Sequence, residues 1–163
     1  MTDQNKQGMG GFVSQDPNGC TFINCLYAGT SNAAEDSYTF SSSANLTNCY
    51  YLNPCGNAQG TPITKEQLRS GEVAHLLQNG RSKTVWGQVL GTDHEPQLTD
   101  KIEKRVYKVK FIYNGRVKAT RYANHGGTVG SLPTAQEFLG EAYNPTNTYK
   151  LIFDGDFSAS TLV

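Results

Sequence analysis

Thr21-Phe22-Ile23-Asn24-Cys25-Leu26-Tyr27 and Asn45-Leu46-Thr47-Asn48-Cys49-Tyr50-Tyr51 align at an offset of 24 residues (49 − 25), with Asn-Cys in the same frame and apolar or aromatic residues around it. Recurrence at a period of roughly 20–50 residues marks stacked-repeat folds, in which a unit buries its apolar side only against a neighbour. One coil of a β-solenoid needs about that length, as short strands separated by polar turns. Gly29-Thr30-Ser31-Asn32 and Ser41-Ser42-Ser43 have the composition of such turns. An ordinary pair of hairpins is the competing reading.

Downstream of the repeat the pattern becomes helical. Thr64-Lys65-Glu66-Gln67 has the form of a capping box, in which the Thr hydroxyl and the Gln side chain satisfy backbone N–H groups that a helix start leaves without partners. Ser70-Gly71-Glu72 opens a second helix, with Val73, Ala74, Leu76 and Leu77 as its apolar side and Gly80 as its stop. At the end of a solenoid such helices serve as a cap, because the last coil exposes apolar surface and an unpaired strand edge. Trp86 to Leu90 is expected to be a strand, Gly91 to Pro96 a turn, and residues 99–104 a linker.

From Val106 the period changes to two. Tyr107, Val109, Phe111 and Tyr113 share one face of a strand, and Asn114-Gly115 is a strong hairpin signal. With those two residues as the loop, the expected pairs are Tyr113 with Arg116, Phe111 with Lys118, Lys108 with Arg121 and Tyr107 with Tyr122. Gly126-Gly127 closes the hairpin, Thr134-Ala135-Gln136-Glu137 starts a short helix ending at Gly140, and a second hairpin is expected from Thr148 to Phe153 and Phe157 to Val163, turning at Asp154-Gly155. The fold class is therefore mainly β with short helices: terminal coils of a β-solenoid with a helical cap over residues 1–103, then a small ββαββ domain over residues 104–163.

Composition agrees with turn-rich β structure. Charged residues are only 17% of the 163, while glycine alone contributes 17 residues. The net charge of zero is unevenly spread: residues 1–103 hold 6 Lys/Arg against 10 Asp/Glu, and residues 104–163 hold 8 against 4. A change of sign beside a change of pattern is a boundary signal, too small to imply nucleic-acid binding. No apolar run approaches the roughly 20 residues needed to span a bilayer, so no membrane insertion by this segment is expected. Residues 1–11 lack the apolar core of a secretory signal, so an exported parent would carry its signal upstream of Met1.

Three stretches resemble the GLUG-motif repeats of surface and secreted proteins from anaerobic gut bacteria: Gly10-Gly11-Phe12-Val13 with Thr21 to Gly29; Leu46-Thr47-Asn48-Cys49-Tyr50-Tyr51-Leu52; and Ser70-Gly71-Glu72-Val73-Ala74-His75-Leu76-Leu77 with Trp86 and Pro96-Gln97-Leu98. The resemblance covers roughly residues 10–98 and implies a β-solenoid adhesin or spacer. The second repeat lacks the Gly-Gly-Phe opening. Residues 105–163 are similar in layout to small β-grasp-like surface repeats such as the Listeria–Bacteroides repeat, through Tyr107-Lys108-Val109-Lys110-Phe111 and Gly126-Gly127-Thr128-Val129. Neither family supplies a catalytic residue to transfer.

Candidate chemistry is sparse. Cys20, Cys25, Cys49 and Cys55 lack the close C-x₂-C pairs of a zinc site, so no metal is expected. Pairs 20–25 or 49–55 could be disulfides in an exported protein, and 25–49 could meet in adjacent coils; the simpler reading is reduced side chains in a ladder, since the anaerobic source that the resemblance implies supplies no oxidant. His75, His94 and His125 lie far apart, and His94-Glu95 sits in a Pro-containing turn. Glu35-Asp36 would point to opposite faces of a strand, and Asp154-Gly155-Asp156 is explained by a turn, so neither makes the convergent carboxylate pair of a glycosidase. No nucleophile elbow or phosphate loop appears.

No enzyme activity and no cofactor are therefore expected. The remaining candidate is a contact for an anionic ligand, Lys108, Lys110 and Arg121, because like charges opposed across a hairpin are relieved by an anionic partner. The functional expectation is a non-catalytic segment of an extracellular or cell-surface bacterial protein, acting in adhesion or as a scaffold or stalk, with a host or bacterial surface glycan or protein as partner. The alternative is an accessory glycan- or protein-binding module of a secreted peptidase or polysaccharide-degrading enzyme.

Overall fold

The 24-residue offset reappears as strand pairing. The computed structural model describes residues 9–14, 18–30, 36–155 and 157–163. Strand β1 (Cys20–Ile23) pairs in parallel with β3 (Ala44–Thr47), Cys20 beside Ala44 and Ile23 beside Thr47. Strand β2 (Leu26–Tyr27) pairs in parallel with β4 (Tyr50–Tyr51), which carries β5 (Thr61–Pro62), also parallel, on its other side. Single parallel bridges join Gly10 to Tyr38 and Tyr38 to Asn57. Consecutive hairpins would have given antiparallel pairs; β1–β3 and β2–β4 are instead parallel at the 24-residue offset, while β4–β5 pairs at a different one (61 − 50 = 11).

The contacts divide the chain into two units, Met1–Leu68 with Leu76–Gly80, and Arg69–His75 with Arg81–Val163. In the first, β1 and β3 alternate half-buried and exposed residues, so Phe22 and Leu46 point inward while Thr21 and Asn45 face out. Phe12, Phe22 and Phe40 form the aromatic centre, with Phe12 stacked on Phe40 at 5.0 Å and Phe22 meeting Phe40 edge-on at 5.4 Å. Phe40 is fully buried. Beside it the buried hydroxyls have partners: Thr39 Oγ1 donates to Asn57 O and accepts from Cys55 N, while the Gln59 side chain binds the backbone of Phe40 and Ser41.

Helix α1 (Lys65–Arg69) begins at the expected capping box: Gln67 N donates to Thr64 Oγ1 at 3.1 Å and Thr64 N to Gln67 Oε1 at 2.9 Å. Helix α2 (Glu72–Gln78) buries Val73, Ala74 and Leu77 and is followed by Gly80 at φ 67°.

The second unit draws in residues that the charge pattern had placed before residue 103. Short strands β6 (Trp86–Gly87) and β7 (Gln97–Leu98) pair antiparallel. Gln88 N donates to Lys104 O, and Arg105 donates to the carbonyls of Arg81 and Ser82, so residues 81–105 are tied together by hydrogen bonds rather than ending in a linker. Strands β8 (Val106–Tyr113) and β9 (Arg116–Asn124) form the hairpin, and α3 (Ala135–Leu139) starts at Thr134 with both capping-box bonds and stops at Gly140.

The expected second hairpin is absent among the described residues. Residues 159–163 instead run against 126–130, with Val129 N donating to Thr161 O, Val163 N to Gly127 O, and Thr128 bridged antiparallel to Leu162. Phe153 and Phe157, expected on two paired strands, both pack their rings on Phe111 at 5.7 Å. Covering that buried ring takes both residues away from the strand geometry that alternation alone suggested. The fold is thus mainly β with few short helices, and the second unit keeps ββα followed by a bridge.

Candidate functional site

The hairpin turn forms as its residues dictate. Asn114 and Gly115 both have positive φ, 48° and 72°, the backbone that a two-residue loop between twisted strands requires. Tyr113 pairs with Arg116 as expected, and Ile112 with Val117. The ladder then slips: Phe111 pairs with Ala119 rather than Lys118, so Lys118 is the extra residue of a β-bulge.

That slip overturns the expected basic cluster. Lys108 lies opposite Tyr122, Lys110 opposite Thr120, and Arg121 opposite Val109. Directly opposed residues share a face and neighbours along a strand do not, so Lys108 and Lys110 stay together while Arg121 turns to the other side. The one-residue register change is the whole cause. Tyr107 likewise lies opposite Ala123 and not Tyr122.

On its own face Arg121 is fully engaged. Its guanidinium donates to both Glu137 oxygens at 2.8 and 3.0 Å, to Ser131 O at 3.1 Å and to Thr120 O at 3.0 Å, fastening α3 to β9. The backbone N–H of Thr134 and the guanidinium hold the Glu137 carboxyl below its ordinary range. An arginine so occupied clamps α3 to β9.

The opposite face has a packed end and an open end. At the packed end Val106 is buried, a Cβ on Gly71 would come within 3.0 Å of it, and His75 Nδ1 lies 3.3 Å from the Val106 carbonyl. The Tyr122 ring stands 6.0 Å from the imidazole, and its phenol is pushed up to about 12 by burial, with the Glu72 charge adding to the effect. At the open end Lys108, Lys110, Ile112 and Val117 are exposed. The result is a narrow strip in which two ammonium groups adjoin an aliphatic pair and the half-buried Tyr122.

The remaining candidates are dispersed. His75 is half-buried within the second unit, and His94 and His125 are exposed. Asp36 and Asp154 are exposed, while Glu35, Asp156 and the turn residues Ser31 and Asn32 lie outside the described residues. Among the described residues no three His, Cys, Asp or Glu side chains gather as metal ligands, and no helix is long and apolar enough to cross a membrane. In the first unit, a half-open groove of about 370 Å³ runs between residues 18–21 and 43–45, lined by uncharged side chains. Comparison with family models, curated proteins and solved structures finds no match.

Three residues had no assigned role in the sequence and turn out to organise their units. Asn24 and Asn48, at φ 54° and 52°, make the corners between β1 and β2 and between β3 and β4; their recurrence beside cysteine was the available signal. Asn124 joins the hairpin to the preceding segment, accepting from Leu90 N and donating to Gln88 O. Nothing in its sequence surroundings marks it.

Proposed function

We propose that this chain is a non-catalytic segment of an extracellular bacterial surface protein. The first unit serves as the terminal coils of a β-solenoid stalk, and the second presents the Lys108–Lys110 strip to an anionic surface glycan. The observation that carries the reading is parallel pairing at a constant 24-residue offset through both β1–β3 and β2–β4. Stacking of this kind extends by adding equivalent turns, which suits a stiff support.

The strip supports the contact role because Lys108 and Lys110 have a common face and solvent access, and neither is paired with a carboxylate across the hairpin. Retention on an acidic polysaccharide matrix tests it. The wild-type chain should be retained at low salt and released as salt rises, and the Lys108→Ala/Lys110→Ala double variant should elute without retention while keeping its circular dichroism spectrum. Equal retention of the double variant would remove the glycan role.

A further inference from the structure

The thiols of Cys25 and Cys49 sit at equivalent places in neighbouring coils. Tyr50 N donates to Cys25 O at 2.9 Å and Asn24 N to Thr47 O at 3.0 Å, so the two corners are hydrogen-bonded neighbours along their backbones. Adjacent strands lie about 4.8 Å apart, inside the roughly 4.4–6.8 Å Cα separation that a disulfide accepts. Cys49 Sγ lies 3.2 Å from Phe22 O, on the strand that leads into Cys25, and 3.3 Å from Thr47 O, while Cys25 Sγ donates to Ile23 O at 3.4 Å. No disulfide joins them in this structure.

We propose that Cys25 and Cys49 form a modification site, a cross-coil staple closed by thiol–disulfide exchange with a low-molecular-weight disulfide. Cys25, half-buried, is the attacking sulfur, and Cys49, at 3% exposure, is the resolving one. The Cys25 thiolate attacks one sulfur of the small disulfide and releases one thiol; the Cys49 thiolate then attacks Cys25 Sγ in the mixed disulfide and releases the second. Two protein S–H groups become one S–S bond, and the small disulfide is reduced to two thiols. Burial, followed by the neighbouring Cys49, raises the Cys25 thiol above its ordinary range, so closure speeds up as pH rises into the alkaline region.

The other two cysteines are placed differently. Cys20 is in register with Ala44, which has no sulfur, and Cys55 is buried against the Tyr27 phenol. The staple would fix the offset between successive coils, a constraint that acts on the stack without altering either strand pairing.

The test incubates the reduced full chain with oxidised glutathione under native conditions at mildly alkaline pH, followed by alkylation and peptide mapping. The expected result is loss of two of the four thiols, a Cys25–Cys49 linked peptide and a higher urea midpoint. In Cys49→Ser the mixed disulfide should persist on Cys25. Should that variant not fold, the same mapping of the wild-type chain in concentrated urea supplies the comparison, and the 25–49 selectivity should disappear there. A link through Cys20 or Cys55 under native conditions, a lasting mixed disulfide on wild-type Cys25, or four thiols still titrating would each overturn the proposal.

Discussion

Asn48 Nδ2 donates to Asn24 Oδ1 at 2.6 Å, from one strand corner to the equivalent one, and donates also to Leu76 O at 2.8 Å. Asn79 Nδ2 reaches the same Asn24 oxygen at 3.2 Å. Asparagine suits this position twice over: it tolerates the left-handed backbone that turns the chain from one strand to the next, and its amide bonds the equivalent amide of the neighbouring corner. Asn24 is buried to 4% exposure, so a lost amide partner there is not replaced by water.

Asn48→Ala is expected to cost about 2–4 kcal/mol, from the left-handed backbone and the lost buried hydrogen bonds together. Asn48→Gly relieves the backbone part and should recover about 1–2 kcal/mol of it. Urea denaturation of the two variants measures the difference; equal stability would show that the corner conformation is not the one described.

The bulge at Lys118 decides which face Arg121 occupies. Deleting Lys118 removes the extra residue and leaves Phe111 opposite Ala119 and Arg121 opposite Val109, so the pairing of Arg121 with Glu137 should survive. Glu137→Gln should therefore cost as much stability in the deletion variant as in the wild-type chain. A Glu137→Gln effect that vanishes in the deletion variant, read by denaturant titration, would contradict the register.

Glu137 gives an acid dependence of definite sign. Its folded pKa is depressed by the Thr134 backbone bond and by Arg121, so its contribution is present above the unfolded value of about 4.3 and is lost as pH falls through the lower folded value. The carboxylate is 40% exposed, so the effect is modest. Glu137→Gln should flatten the stability profile below about pH 4.5 and leave it unchanged in shape near neutrality.

Tyr122 acts in the other direction. Its folded pKa, about 12, lies above the unfolded value of about 10, so its contribution is complete below pH 10 and disappears as pH climbs towards the folded value. Tyr122→Phe should remove that alkaline loss of stability. Fluorescence-monitored unfolding between about pH 9 and pH 12 reads it directly.

Much of the local structure was legible because it depends on near neighbours. The capping boxes at Thr64 and Thr134 and the Asn114-Gly115 turn each need only a few adjacent residues, and each appears where the sequence places it. The repeat offset was legible too, since stacking converts a sequence period into a strand register. What escaped was set by distant partners. The bulge at Lys118 leaves no mark in the alternation around it, and Phe153 and Phe157 pack on the distant Phe111 ring instead of lying on two paired strands. Of the candidate contact residues Lys108, Lys110 and Arg121, two kept a common face; the third was lost to a single inserted residue that alternation cannot reveal.

The stalk reading depends on stacked parallel coils, and nuclear Overhauser contacts between backbone protons of residues 20–27 and 44–51 test that arrangement most directly. The account predicts cross-strand contacts at a constant separation of 24 residues, such as Phe22 with Leu46 and Leu26 with Tyr50. Contacts whose sequence separation shrinks steadily along the strands, as in antiparallel hairpins, would contradict it.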